Sequence, residues 1–340
     1  MRSFFREPHP PGPLARGTVP APSVSRNSCR RPRVYSFRAV SEDEAAARAE
    51  ETTKIWARSF YIASNFLKAS QKRKAFALYA WCREVDQIVD SSTNSHDARV
   101  ALDATSHRLS ELVRSVEGSD DYADVAMRSA FSKEIERGEF DVQPFEDMIA
   151  GMRQDLDEDV RFVTFSDVEL YAYRVAGTVA LMMLPVILCD EEEDDAATNQ
   201  LRRERGVALG IALQLTNIIR DVGEDARLRK RVYMCEEDLA AFNLTRQDVL
   251  SMEQPSDSYK ALIEFQIERA LGYYEQAAKG LELLPLSSRP AVAIIAGLYK
   301  KILLSVRDND YDNLNRRAFA STWEKVAALP GLIIEALVAK

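Results

Sequence analysis

Two aspartates stand four positions apart at two places in this chain: Asp86 and Asp90 in YAWCREVDQIVD, and Asp221 and Asp225 in LQLTNIIRDVGED. On a helix that step puts both carboxylates on one face, one turn apart. At ~4 Å and an effective dielectric of ~20, each such pair repels by about 4 kcal/mol. A phosphorylated substrate would add to the repulsion, so the pairs imply a cation. Mg2+ suits best, with Mn2+ as the alternative, because it is held by one or two carboxylates together with waters and phosphate oxygens.

Acids four apart arise easily in a chain with 53 Asp and Glu among 340 residues, and a lone pair is most simply a solvated helix face. The second pair has a different setting. The run VALGIALQLTNII (Val207 to Ile219) is apolar nearly all round, the mark of a buried helix. Yet Gln214, Asn217, Asp221 and Asp225 recur along it at steps of three, four and four. Buried amides and carboxylates are costly unless paired or metal-bound, so the stripe should line a polar cavity. The first helix repeats the pattern with Tyr79, Arg83 and Asp86. The four aspartates are the candidate catalytic groups, and with Asn217 they form the candidate metal set. Since a carboxylate lining a cavity packs against little, Asp86→Asn or Asp221→Asn is expected to leave the fold nearly intact.

Apolar residues recur at three- and four-residue steps through Lys72 to Val89, Ser166 to Val186, Arg202 to Arg220, Tyr259 to Leu284 and Pro290 to Arg307. No stretch offers alternating strands joined by Asn-Gly or Asp-Gly turns. Residues 41–340 therefore read as one all-α domain, a single large helical bundle. Breaks are expected at Gly118 to Tyr122, Asp190 to Asp195, Gln254 to Ser258 and Leu284 to Pro290. The run DEEEDD reads as a solvated connection.

Residues 1–40 obey other rules. They hold eight Arg, no Lys, five Ser, seven Pro and one acid, Glu7. Such a segment builds no core, and its Arg-rich, acid-poor character is that of an organellar transit peptide. Without it the formal charge moves from -8 to -15, which argues against nucleic acid as a partner. Cys29, Cys82, Cys189 and Cys235 are too scattered for a disulfide framework or zinc site. The three histidines, His9, His96 and His107, sit in no motif. There is no phosphate-binding glycine loop of the dinucleotide or P-loop kind.

The segments ARSFYIAS (Ala57 to Ser64), YAWCREVDQIVD (Tyr79 to Asp90), YRVAGTVALMMLPV (Tyr173 to Val186), LQLTNIIRDVGEDARLRKRVY (Leu213 to Tyr233) and DNDYDNLNRRAF (Asp308 to Phe319) resemble, in order, the squalene and phytoene synthase family. The likeness is nearest to its plant and algal phytoene synthase branch and runs from about Arg58 to the C-terminus. The resemblance implies a bundle of the isoprenoid synthase type with a central cavity. It also implies head-to-head condensation of two geranylgeranyl diphosphates, through prephytoene diphosphate, to phytoene, the first committed step of carotenoid biosynthesis. Mg2+ would stabilise the leaving diphosphate, and NADPH is not expected.

Arg83 supplies a forked donor for phosphate, with Arg58, Arg220, Arg227 and Arg231 as further candidates. Ser59, Phe60, Tyr79, Gln214, Asn217 and Tyr233 complete the expected substrate contacts, and the resemblance adds Tyr171 and Tyr299 as pocket positions. Among aromatic faces for a carbocation, Tyr61 and Tyr173 are also suitable types. Implied surroundings are a plastid stroma, peripheral membrane contact and a geranylgeranyl diphosphate synthase as supplier. The C-terminal Val326 to Ala339 is the candidate membrane-facing helix, its alternative being an ordinary last helix on the bundle.

The chain departs from the family pattern in places. Gln87 and Glu84 replace an acid and an arginine beside the first pair, Ala180 replaces a glycine, and the loop Ala226 to Met234 is one residue longer than usual. Two other readings stay open: a squalene or dehydrosqualene synthase using farnesyl diphosphate, and a catalytically silent homologue acting as an assembly factor.

Overall fold

The computed structural model describes residues 40–92, 94–114, 121–157, 159–188, 195–318 and 322–338. The leader reading for residues 1–40, and the solvated connection read at Asp190 to Asp195, lie outside them save for Val40 and Asp195. Asp195 is a cap rather than a loop residue: its carboxylate accepts from the Ala197 and Thr198 amides at 2.9 and 3.0 Å, satisfying two of the helix's open donors.

The order is α1 (Glu42–Trp56), α2 (Arg58–Ser64), α3 (Ala69–Ser91), α4 (Ser95–Val113), α5 (Tyr122–Ala130), α6 (Ser132–Arg137), α7 (Gln143–Gln154), α8 (Phe165–Ala172), α9 (Thr178–Leu188), α10 (Ala196–Glu224), α11 (Glu236–Ala241), α12 (Arg246–Ser251), α13 (Asp257–Ala278), α14 (Arg289–Asp308) and α15 (Thr322–Val338). A π turn, Tyr173–Gly177, joins α8 to α9, and a second, Asp225–Arg229, ends α10. There is no strand among the described residues. The five helices read from periodicity are present as α3, α8 with α9, α10, α13 and α14, each within a few residues of its expected ends except that α10 starts earlier, at Ala196, and α13 stops at Ala278.

The long α10 is the hub, packing against α9, α13 and α14, while α3 packs against α1, α5 and α9. Close approach at the hub depends on Gly210. A Cβ there would lie 2.5 Å from the Ala176 carbonyl oxygen and 2.6 Å from Gly177 Cα, so α10 rests directly on the backbone of the first π turn. The segment Phe165–Leu188 is long and apolar enough to cross a bilayer, but it is largely buried in the bundle and reads as a core helix. On the outside, α15 packs on α14 with Leu332 over Gly297; Ala336 is buried, while Val326, Ile334, Leu337 and Val338 stay exposed. Of the two readings of the C-terminus, the ordinary last helix is the one seen: α15 docks on the bundle, with an apolar outer face left exposed.

Candidate active site

The second acidic helix presents its stripe as expected. Gln214, Asn217, Asp221 and Asp225 are all buried, and Asn217 donates through Nδ2 to Gln214 Oε1 at 3.3 Å. Asp221 is gripped twice: Arg220 donates to its two oxygens at 2.9 and 2.5 Å, and Arg317 at 2.7 and 3.3 Å. Arg317 also lies 3.2 Å from Glu224. On α3, Arg83 is buried against Asp86, to which it donates, with its guanidinium 3.8 Å from Asp90 and 4.5 Å above the Trp56 ring.

The two acid pairs meet through Arg229. Its guanidinium donates to Asp225 Oδ1 at 3.1 Å and to Asp90 Oδ1 at 3.4 Å, so α3 and the end of α10 face each other across one charged gap. Burial alone would lower the Arg229 pKa; Asp225 and Asp90 outweigh it and hold it raised. Asp86 is shifted upward, first by burial and then by the Asp90 charge, against the pull of Arg83.

Whether these residues suit a divalent cation can be asked of their free valences. Asp86 Oδ1 is buried with no hydrogen-bond partner, a state that costs on the order of 1–3 kcal/mol unless something positive fills it. Among the described residues no three acidic, His or Cys side chains converge as a ready-made cage. An open, all-oxygen donor set fits Mg2+, which keeps waters and relies on substrate phosphates, and does not fit zinc.

Arg317, Arg229 and Asp155 are site residues that spacing did not single out. Arg317 arrives because the chain around Asn313 docks on α10. Gly223 donates to the Asn313 carbonyl at 3.2 Å, Asn313 Nδ2 to the Ile219 carbonyl at 2.5 Å, and the Tyr259 hydroxyl to Asn313 Oδ1 at 2.6 Å. Asp310 and Tyr311, at φ 54° and 61°, turn the chain there. Its signal in sequence was the polar, turn-rich run DNDYDNLNRR following an apolar helix. Arg229 comes from the long loop: the π turn brings it, and not Arg227, to the aspartates. Arg227 is exposed and donates to the Leu314 carbonyl.

Asp155, just beyond α7, is a buried carboxylate that collects three of the expected residues. Tyr171 donates to it at 2.9 Å, Tyr233 at 3.2 Å and Arg231 at 3.3 Å. The Tyr171 and Tyr233 rings stack at 5.4 Å. Burial, and then the Asp155 charge, push both phenols well up, so they stay protonated donors. Tyr299 is buried on α14, and Phe60 stacks on Tyr79 at 6.0 Å with Ser59 buried beside it. Arg58 is exposed. Tyr61 and Tyr173 turn outward to Glu50 and Asp147.

The departures Glu84 and Gln87 also lie off the charged gap. Glu84 pairs with Arg108 of α4 at 3.1 Å, and Gln87 is exposed. Burial, then a hydrogen bond with Asp121, raises the Glu84 pKa to about 8, against Arg108. The expectation that Asp221→Asn leaves the fold nearly intact is corrected here: Asp221 is the buried counter-charge of two guanidiniums.

Beyond the stripe, the same helix enters an apolar cavity of about 900 Å³, part of it open to solvent. Its walls come from α2, α9, α10, α13 and α14, with Phe60, Met183, Leu209 and Leu213 among the lining residues. One continuous helix face therefore passes from an oily tunnel into an arginine-laced acidic gap.

Such a fold and site define a class: all-α enzymes that hold a long apolar chain beside a diphosphate. The chain belongs to the squalene/phytoene synthase family, whose model matches residues 56–324. It is 38% identical over 303 residues to the 15-cis-phytoene synthase of Synechococcus elongatus, covering 88% of this chain and 96% of that protein. It is likewise 38% identical to phytoene synthase 2, chloroplastic, of Solanum lycopersicum, over 87% of this chain and 92% of that one. A crystal structure of a dehydrosqualene synthase in complex with ligand superposes with a TM-score of 0.72 at 29% identity, covering 86% of this chain and 96% of that chain.

Proposed function

We propose that this chain condenses two geranylgeranyl diphosphates head to head and releases phytoene, acting as a phytoene synthase. The observation that carries the reading is the continuity along α10: the face that lines an apolar cavity at Leu209 and Leu213 carries, in its following turns, the aspartates that Arg229 bridges to the first acidic helix. The names of the relatives support the substrate.

Asp86, Asp90, Asp221 and Asp225, with Asn217 beside them, would hold Mg2+, which when bound neutralises charge on the departing diphosphate. The chain's own groups do the rest. Arg83 and Arg229 stand between carboxylates, where their forks can pass to a diphosphate as a cation takes over the aspartates. Arg220 and Arg317 hold the Asp221 carboxylate in one orientation. The cavity keeps water from the allylic cation once the C–O bond breaks, and Asp155 fixes the Tyr171 and Tyr233 rings by accepting hydrogen bonds from their hydroxyls. No histidine is needed, since the released diphosphate is itself a base.

Incubating purified protein with geranylgeranyl diphosphate and Mg2+, with and without NADPH, tests this. A forty-carbon triene-conjugated hydrocarbon, unchanged by NADPH, is the expected product; a reduced product seen only with NADPH refutes it. The dehydrosqualene synthase neighbour favours one second reading, the same reaction on farnesyl diphosphate, which the thirty-carbon product would reveal. The Arg-rich leader supports delivery to a plastid, tested by fusing residues 1–40 to a fluorescent protein. The exposed face of α15 supports peripheral contact with a membrane that receives the product, close to a geranylgeranyl diphosphate synthase.

A further inference from the structure

Four guanidiniums stand among the four aspartates, and one of them is placed unlike the rest. Arg83 serves Asp86 and Asp90 on α3, while Arg220 and Arg317 serve Asp221 on α10. Those contacts lie on one side of the gap or the other. Arg229 spans it, donating to Asp225 Oδ1 at 3.1 Å and to Asp90 Oδ1 at 3.4 Å. It is also the accessible one of the two arginines on the α10 side that a substrate would meet, its side chain 23% exposed against 2% for Arg220. It springs from the π turn Asp225–Arg229 between the exposed Leu228 and Lys230, so it can swing out of the gap without any helix moving. A guanidinium keeps its proton at every working pH. Arg229 therefore gives up the two carboxylates only by moving, never by titrating.

We propose that Arg229 is an internal stand-in for the divalent cation: it competes with a lone metal ion for Asp90 and Asp225, and yields them when a diphosphate arrives to take its fork. This rests on the prenyl-diphosphate reading above. The charge balance gives the reason. A dication arriving alone meets carboxylates that arginines already neutralise, and it must push one guanidinium aside while facing the others. It gains little. A dication arriving with a diphosphate brings the displaced fork an anion that matches its two donors, so the exchange leaves every charge paired. Arg229 thereby ties the two binding events together, and the tie is reciprocal: whatever factor the diphosphate adds to metal affinity, the metal adds to diphosphate affinity.

The experiment makes two binding measurements on the wild type, Arg229→Gln and Arg229→Lys. One follows Mn2+ alone, by loss of the free ion's electron paramagnetic resonance signal; the other follows unreactive geranylgeranyl thio-diphosphate at saturating Mg2+, by calorimetry. Arg229→Gln should bind Mn2+ alone at least about tenfold more tightly, because a unit charge facing the dication across a few ångströms is gone. It should bind the thio-diphosphate at least about tenfold more weakly, because a charge-assisted fork is lost. A residue that merely holds the two helices together would weaken both. Any combination other than these opposite shifts in a folded Arg229→Gln variant overturns the proposal. Should that variant fail to fold, Arg229→Lys, whose single ammonium lacks the fork, must show the same two opposite shifts at smaller size, and their absence overturns the proposal. If the wild type makes no hydrocarbon from geranylgeranyl diphosphate, the reaction assigned above fails, while the Mn2+ measurement, which needs no prenyl chain, still decides the role of Arg229.

Discussion

Gly223 lies between the two aspartates of the second acid pair, and replacing it with alanine sets two physical effects against each other. Helix propensity alone predicts a gain of about 1 kcal/mol, because glycine is the poorer helix former. The structure predicts a loss. A Cβ at position 223 would fall 1.9 Å from the Leu314 carbonyl oxygen and 2.5 Å from its carbon, which are backbone atoms that no side-chain rotation can clear. The chain around Asn313 must lift, and three hydrogen bonds go with it: Gly223 to Asn313, Asn313 to Ile219 and Tyr259 to Asn313. At about 1 kcal/mol each they total about 3 kcal/mol, so the net change is a destabilisation of about 2 kcal/mol. For a domain of this size that lowers Tm by about 3 °C. Activity should fall further than stability, because the same movement draws Arg317 away from Asp221. Thermal unfolding and hydrocarbon formation measured on Gly223→Ala decide the matter. A variant that melts higher than the wild type and turns over normally would refute the docking argument.

Asp221→Asn should abolish turnover and also cost about 3–5 kcal/mol, since it strips a buried counter-charge from two arginines; Asp90→Asn, half-buried on α3, should abolish turnover with little loss of stability, and chemical denaturation separates the two. Glu84 offers a pH test. Its pKa is about 8 in the fold against an ordinary 4.5, so the folded state holds a proton that the unfolded chain has released. The stabilisation is complete below about pH 4.5 and is lost as pH rises towards 8. Glu84→Gln should therefore gain in Tm relative to wild type as pH goes from 5 to 8; a constant difference across that range contradicts the assignment. Finally, Ile334→Asp combined with Leu337→Asp on the exposed face of α15 should weaken flotation with lipid vesicles while leaving Tm nearly unchanged, and undiminished flotation would exclude that face as the membrane contact.

Much of this molecule was legible in the sequence because its helices carry their own period. A stripe of Gln214, Asn217, Asp221 and Asp225 on an otherwise apolar run calls for polar partners, and in the fold Arg220, Arg229 and Arg317 supply them. Partners distant in sequence were not legible. Arg317 reaches Asp221 from 96 positions away by way of a turn with two residues at positive φ, and nothing in local spacing says where such a turn will dock. Arg229 was hidden for a different reason. Counting in steps of three and four assumes regular α-helix, and the chain leaves that geometry at Asp225. Asp155 stands in a stretch rich in acids, where a buried carboxylate looks like its solvated neighbours until Tyr171 and Tyr233 are seen to converge on it. Glu84 and Gln87 adjoin the first acid pair along the chain, yet on α3 Glu84 turns to Arg108 and Gln87 to solvent, a difference that adjacency in sequence does not reveal.

The π turn at Asp225–Arg229 has a consequence for how such a site can evolve. The Lys230 amide bonds back five residues to the Asp225 carbonyl, and Lys230 itself takes a left-handed conformation, so one turn accommodates an additional residue without disturbing the helix before it. Removing a single residue would let the segment wind as ordinary α-helix and rotate whatever follows by about 100°. A different basic side chain would then swing across to Asp90, and Arg231 and Tyr233 would be carried off Asp155. Insertion and deletion at this one turn thus act as a selector switch, choosing which cation bridges the two helices while every residue that does chemistry keeps its identity.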